Sequence, residues 1–345
     1  MEVQLILLRF HRRHAGGHAG GRNDGRHTII TAFSEIMKLL PPTKVQRVRC
    51  RGFDLHIKRD DLHFLPGNKF RKLFWLVEKD ASFFTGNHLL SYGGIQSNAM
   101  LAVAQLAHLK QVPFTYFTKP ISTQLLDRAK NLKSNFNLAL SLGMHHVALE
   151  NEYDALADSH DFTPIAPLNA TRWLGIPQGV ALPEAAVGIR RLALELNDFA
   201  ESYANNVAVV LPCGTGTTAH YVAKYIHPSI RVYGVPCVGS AAYLREQLAK
   251  LDATAPGSSP LYVLEPRKRV AFGTLWRPLL DTYYEVLKDT GVEIDLIYGC
   301  LAWDTMLNAF DRHEFEGRQV VYIHSGGLSG NSSQLERYRN RFQSE

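Results

Sequence analysis

Side chains capable of covalent and anion chemistry stand in four short glycine-marked segments of this 345-residue chain. The first is Pro66-Gly67-Asn68-Lys69-Phe70-Arg71-Lys72-Leu73, where a lysine lies between a Gly-Asn turn and a basic helical start. A lysine amine can bond to a carbonyl carbon and can carry a proton, provided its pKa falls from the ordinary ~10.4. Positive charge on Lys72 and Arg71 would lower it, although taken alone each is a solvated or salt-bridging surface residue.

The second segment, Ser91-Tyr92-Gly93-Gly94-Ile95-Gln96-Ser97-Asn98, leads directly into a helical pattern. Its glycines admit close backbone approach, and Ser97 and Asn98 stand where helix N-terminal amides converge, suited to a carboxylate and a ring hydroxyl. The plainer reading is an N-cap serine after a glycine turn. The third, Leu211-Pro212-Cys213-Gly214-Thr215-Gly216-Thr217-Thr218-Ala219, opens a helix with amides and hydroxyls that can cradle an anion. It is neither a Walker loop nor a full Gly-x-Gly-x-x-Gly pattern, and alone it is as consistent with a tight turn. The fourth, His324-Ser325-Gly326-Gly327-Leu328, follows the apolar run Val320–Ile323, at the sheet edge where ligands of open α/β folds bind. Its serine can pair with an unprotonated pyridine nitrogen; alone the segment is a turn and His324 a structural histidine. An amine, a phosphate cup, a ring platform and a partner for the ring nitrogen together suit pyridoxal phosphate.

The elements that must position these groups alternate. Helical periodicity covers 97–110 (Met100, Leu101, Ala104 and Ala107 on one face), 184–202, 215–226, 277–290 and 301–312. Strand-like runs are Phe114–Phe117, Val147–Leu149, Val207–Leu211, Val232–Val235, Ile294–Tyr298 and Val320–Ile323. Alternation of this kind predicts a layered α/β protein with largely parallel pairing. The irregular stretches 161–183 and 253–268 read as linkers or lids.

Composition narrows the function classes. Hydrophobic content of 46% and charge of 20% are those of a soluble globular enzyme, and runs such as Val207–Leu211 are too short to cross a bilayer. Cys50, Cys213, Cys237 and Cys300 lack Cys-x-x-Cys spacing, which fits a reducing, cytoplasmic setting and argues against structural zinc; no metal site is expected. The net charge of +6 is half accounted for by residues 1–27, where Arg9, Arg12, Arg13, Arg22 and Arg26 face only Glu2 and Asp24. A basic Gly/His-rich tail without an aromatic-basic patch does not make a nucleic-acid-binding module. Residues 1–36 are expected to be a disordered extension; the acid-poor start leaves organelle targeting open, and His11, His14 and His18 have no obvious partners for a metal.

Together and in this order, Lys58-Arg59-Asp60-Asp61, Gly67-Asn68-Lys69-Phe70-Arg71-Lys72, Gly-Gly-Ile-Gln-Ser-Asn, Gly-Thr-Gly-Thr-Thr and His-Ser-Gly-Gly resemble the fold type II pyridoxal phosphate enzymes. More narrowly, they resemble the family of D-cysteine desulfhydrase and 1-aminocyclopropane-1-carboxylate deaminase. The resemblance runs from about Leu40 to about Tyr338. It implies a two-lobed α/β fold of open, twisted, largely parallel sheets covered by helices, with the cofactor between a larger lobe (37–79 and 186–345) and a smaller one (80–185). It implies Lys69 as the Schiff-base lysine, Lys72 with Gly214, Thr215, Gly216, Thr217 and Thr218 on the phosphate, Asn98 on the ring hydroxyl and Ser325 on the ring nitrogen. Ser97 and Gln96 then face substrate, Tyr298 is the active-site tyrosine, and the protein is a homodimer.

Two departures bear on the reaction. Deaminases of the cyclopropane amino acid place Glu directly after the tyrosine, whereas here the run is Tyr298-Gly299-Cys300-Leu301. A second family tyrosine is lost at Phe272-Gly273-Thr274-Leu275. The expectation is a lyase that eliminates a β leaving group from a small amino acid such as D-cysteine, releasing ammonia and a keto acid. The alternatives are cyclopropane amino acid deamination and, in another class, a non-catalytic carrier or regulator of the cofactor.

Overall fold

Arg51 and Gly52, both at positive φ (47° and 81°), make a two-residue turn of the kind that twists with its strands, and join β1 (Val45–Cys50) to β2 (Phe53–Lys58) as an antiparallel hairpin. This is a computed structural model that describes residues 40–63, 65, 67–131, 134–167, 172–251 and 261–342. The expected extension at 1–36 and its histidines lie outside the described residues.

After the hairpin the chain alternates. It runs through α1 (Asn68–Val77), α2 (Ala81–Phe84), β3 (Asn87–Tyr92), α3 (Asn98–Lys110), β4 (Phe114–Thr118), α4 (Thr123–Asn131), α5 (Asn135–Ser141), β5 (Met144–Ala148), α6 (Glu152–Ser159) and β6 (Arg172–Ile176). It continues through α7 (Ala186–Glu201), β7 (Val207–Cys213), α8 (Thr217–Tyr225), β8 (Arg231–Pro236), α9 (Ala241–Leu251), β9 (Leu261–Val263), α10 (Arg277–Thr290), α11 (Gly299–Asp311), β10 (Gln319–Ile323) and α12 (Asn331–Phe342). Two sheets result. One has six strands in the order β1-β2-β10-β7-β8-β9, parallel except for the hairpin; the other has four parallel strands in the order β5-β4-β3-β6. Both lie in one compact unit, Pro42–Glu345.

Burial explains which strands are central. Every residue of β7 is buried, and four of five in β10, because helices cover both faces and leave no polar side to the strand. On one face Trp303, Met306 and Leu307 of α11 pack with Leu55, Ile57 and Tyr322. On the other, Ile189, Leu192 and Leu196 of α7 pack with Val209, Leu211 and Ile323. Helix α3 is apolar around most of its circumference, from Ala99 to Ala107, as expected of a helix buried on more than one side. All four cysteines are buried and free. No described helix is long and apolar enough to cross a membrane.

Two sequence expectations are corrected. The run Ile294–Tyr298 is not a strand: Asp295 accepts backbone N–H bonds from Ile297 (3.1 Å), Tyr298 (2.7 Å) and Gly299 (2.8 Å), which folds the segment into the start of α11. The stretch 161–183 is not a bare linker, since it contains β6, paired with β3 from Asn87↔Arg172 to Ser91↔Ile176. Within the second stretch, 253–268, residues 261–263 form β9 against β8; residues 253–260 lie outside the described residues.

Candidate active site

Three strand ends deliver the glycine-marked segments to one place. Strand β7 ends at Cys213 and runs into Gly214–Gly216, β10 ends at Ile323 and runs into Ser325–Gly327, and β3 ends at Tyr92 before the turn that starts α3. These are carboxyl ends of parallel strands, where helix N-termini and loops leave an open crevice. There a cavity of about 210 Å³ is lined by Lys69, Lys72, Ser97, Asn98, Gly214, Thr215, Gly216, Thr217, Thr218, Tyr298 and Ser325. Of the residues that the resemblance implies for cofactor and substrate, only Gln96 is elsewhere. It lines a small adjoining chamber with Asn98 and Asn135, its Oε1 3.1 Å from the Cβ position of Gly273.

Gly67 brings α1 against the β10 loop. Its φ is +53°, and a Cβ there would lie 1.6 Å from the carbonyl oxygen of Ser325, so only glycine lets Asn68 N–H donate to that carbonyl at 3.0 Å. Asn68 then spans the cavity floor, its Nδ2 donating to Thr218 Oγ1 (3.2 Å) and its Oδ1 accepting from Lys69 Nζ (2.8 Å). Gly67→Ala is expected to cost more than about 2 kcal/mol, as backbone overlap and an unsuitable φ both oppose it. Thermal unfolding together with cofactor retention checks this; a variant that matches the parent in both would refute the contact.

The two lysines feel burial first. Lys69 is only half-buried toward the open cavity, yet desolvation lowers its pKa to about 8 against an opposing attraction from Asp295. Burial, and then repulsion from Lys69, pushes Lys72 well below the ordinary lysine value. Lys72 Nζ donates to Gly179 O (3.0 Å) and forms no ion pair with a carboxylate among the described residues. Arg71 does not contribute to this field as expected from sequence. It is fully buried and turned away, with Nε and Nη2 on Asp60 (2.6 and 2.7 Å) and Nη1 and Nη2 on Glu195 (2.8 and 3.0 Å), so its charge is already neutralised. Glu195 also takes Lys58 Nζ at 2.5 Å.

The remaining groups are set locally. Ser97 is the N-cap of α3, its Oγ accepting from Ala99 N and Met100 N at 3.2 Å each, which leaves its hydroxyl hydrogen to donate. Thr215 and Thr217 hydroxyls bond each other at 2.8 Å beside Gly216, whose left-handed backbone starts α8. His324 is structural: Gly326 N–H donates to Nδ1 (3.1 Å), so Nε2 carries the hydrogen and donates to Glu293 O (2.7 Å). The Tyr298 ring lies 5.4 Å from that of Phe272, and its pKa is raised by burial and then by Asp295. Cavity residues not singled out from sequence include Asp295, Gln178, Gly179 and Tyr243. Only Asp295 had a local signal, an aspartate just ahead of a helical pattern.

These residues fit pyridoxal phosphate. The buried Oγ of Ser325 has no hydrogen-bond partner among the described residues, and a hydroxyl at a strand end can meet a ring nitrogen. A buried lysine without a carboxylate, next to a Gly-Thr-Gly-Thr-Thr helix start, matches a phosphate dianion. A covalently capable amine faces both.

An open α/β fold with these groups at its strand ends defines a cofactor enzyme. Residues 37–326 match the family described as pyridoxal-phosphate dependent enzyme, and the chain belongs to it. It is similar to a putative 1-aminocyclopropane-1-carboxylate deaminase of Thermotoga maritima, with 26% identity over 86% of this chain and 97% of that protein. It is also similar to the mitochondrial bifunctional D-cysteine desulfhydrase/1-aminocyclopropane-1-carboxylate deaminase of Arabidopsis thaliana, with 23% identity over 84% of this chain and 77% of that protein. Among solved structures, an ACC deaminase homologue superposes with a TM-score of 0.70 at 20% identity, covering 90% of this chain and 98% of that one. A hydrogen sulfide-producing enzyme from Fusobacterium nucleatum gives 0.60 at 12% identity, covering 85% and 98%.

Proposed function

We propose that this pyridoxal phosphate enzyme eliminates a β leaving group from a small amino acid, D-cysteine or a β-substituted alanine, and releases ammonia and a keto acid. The observation that carries this is the partnerless Ser325 hydroxyl combined with a glycine at position 299, where the deaminases carry an acid. A Cβ at Gly299 would lie 2.8 Å from Asp295 Oδ2, so a glutamate there, as the deaminases carry for ring opening, would require Asp295 to shift. Phe272, which supplies a ring against Tyr298 but no hydroxyl, points the same way.

Pyridoxal phosphate, when bound, supplies an electron sink for the carbanion at Cα. The chain's residues do the rest. Lys69, with a pKa near 8, takes the Cα proton once the substrate amine has displaced it, and is close to the operating pH of a general base. The Ser97 hydroxyl donates to the substrate carboxylate, helped by the dipole of α3. Lys72 and the 214–218 loop hold phosphate, Asn98 the ring hydroxyl, and Ser325 a neutral ring nitrogen. A neutral nitrogen weakens the sink, which favours a leaving group that departs readily. We take 80–185 as the smaller lobe, whose approach to the larger one excludes water from the carbanion.

Cyclopropane amino acid deamination is the second reading, favoured by the names of the relatives from Thermotoga maritima and Pyrococcus furiosus. Release of keto acid and ammonia from D-cysteine, L-cysteine, β-chloroalanine and 1-aminocyclopropane-1-carboxylate separates the two. We expect kcat/KM for D-cysteine or β-chloroalanine to exceed that for the cyclopropane substrate by about a hundredfold, a difference of ~2.7 kcal/mol in barrier. Preference for the cyclopropane compound, with 2-oxobutyrate as product, would overturn the elimination reading.

A further inference from the structure

Asn135, at the start of α5 and only 3% exposed, touches both sides of the cleft. Its Nδ2 donates to Gln96 O (3.2 Å) and to Asn98 Oδ1 (2.8 Å), while its Oδ1 accepts from Ser329 Oγ (2.7 Å). The segment before α3 comes from the four-stranded sheet; Ser329 follows the β10 loop of the six-stranded one.

The direction of each bond can be worked out. A backbone carbonyl such as Gln96 O only accepts, so the NH2 end of Asn135 must face it. That same NH2 reaches Asn98, which must therefore present its oxygen. The Nδ2 of Asn98 is left turned toward the Ser325–Gly327 loop, 2.6 Å from the Cβ position of Gly327. Asn98 also lines the large cavity, and with its oxygen taken by Asn135 only its remaining N–H is available there to a phenolic ring oxygen.

We infer that Asn135 is a positioning residue: it sets which face of the Asn98 amide meets the pyridoxal ring and ties that choice to the β10 loop through Ser329. This rests on Asn98 as a cofactor contact and is independent of which amino acid is turned over. Asn135→Asp puts an acceptor where the NH2 stood, and Asn98 can pair with it only by turning over, which aims its oxygen at the ring.

The test compares holoenzyme of the parent, Asn135→Asp, Asn135→Ala and Asn98→Ala. The readouts are the absorbance maximum of the bound cofactor and its pH titration, the cofactor dissociation constant, and melting of the cofactor-free protein. We expect Asn135→Asp to shift the band and its titration in the same direction as Asn98→Ala and to weaken cofactor binding about tenfold, the worth of one well-placed hydrogen bond. Melting of the cofactor-free form should fall for Asn135→Asp, which buries a carboxylate beside the Gln96 carbonyl, so the band and not the melting temperature decides. If Asn98→Ala shifts the band and Asn135→Asp does not, the positioning role is overturned while the Asn98 contact stands. If neither shifts it, the contact fails and the inference with it. Should Asn135→Asp fail to fold, Asn135→Ala decides, because it removes the N–H that holds Asn98 Oδ1: a shifted band supports the role and an unchanged one refutes it.

Discussion

Lys69→Ala is expected to lose the visible band of the lysine-bound cofactor and about four orders of magnitude in turnover, because one side chain provides both the covalent tether and the Cα base. The protein itself should not suffer. Lys69 is an amine held in a desolvated site whose single hydrogen bond described is to Asn68 Oδ1 at 2.8 Å, so its removal relieves a cost of burial. The cofactor-free variant should melt no lower than the parent. In the parent, the unprotonated amine becomes the major form above pH about 8 rather than above the ordinary lysine value, so the rate of cofactor attachment should rise with pH and level off there. A band retained in the alanine variant would move the tether to another lysine.

Arg71→Met is expected to destabilise the fold by about 3–5 kcal/mol, the range for removing one partner of a buried ion pair. Asp60 is fully buried and bound by two guanidinium nitrogens, and Glu195 accepts from the other side. Burial pushes Asp60 up, but attraction and hydrogen bonds from Arg71 outweigh it and hold the carboxyl below its ordinary pKa. A depressed carboxylate contributes stability above its unfolded pKa and loses it as pH falls through the folded one. The gap between parent and variant should therefore be full at neutral pH and narrow below pH about 4. Since Arg71 lies between Lys69 and Lys72 on α1, cofactor affinity should fall as well. Chemical denaturation at pH 7 and in acid tests both points; a variant within about 1 kcal/mol of the parent would show that the network is dispensable.

The chemistry of the site was legible because its parts are local. A glycine turn before a lysine, a Gly-Thr-Gly opening a helix and a serine after a β-branched run each fix backbone geometry over a few residues. Their helices follow the same logic: α3 was expected over 97–110 and spans Asn98–Lys110, and α10 spans the expected 277–290. Strands β1, β2, β3, β6 and β9 were not legible. In β1, Arg47 and Arg49 alternate with Val48 and Cys50 on an edge strand, a pattern too polar to separate from a loop until the partner strand is known.

Sequence by itself determined the fold class and the cofactor, since each segment carries its own turn and donor set. Only the tertiary structure decided which charges act. Arg71 and Lys72 are neighbours on one helix, but Arg71 meets Glu195, 124 residues on, and is neutralised, while Lys72 meets no carboxylate among the described residues and lines the cavity beside Gly214–Thr218. Asp295 crowds the space a side chain at Gly299 would take, and Asn98 Oδ1 accepts from Asn135 on another helix. Desolvation and long-range pairing depend on strand order and on what covers each face, and no window of sequence contains them.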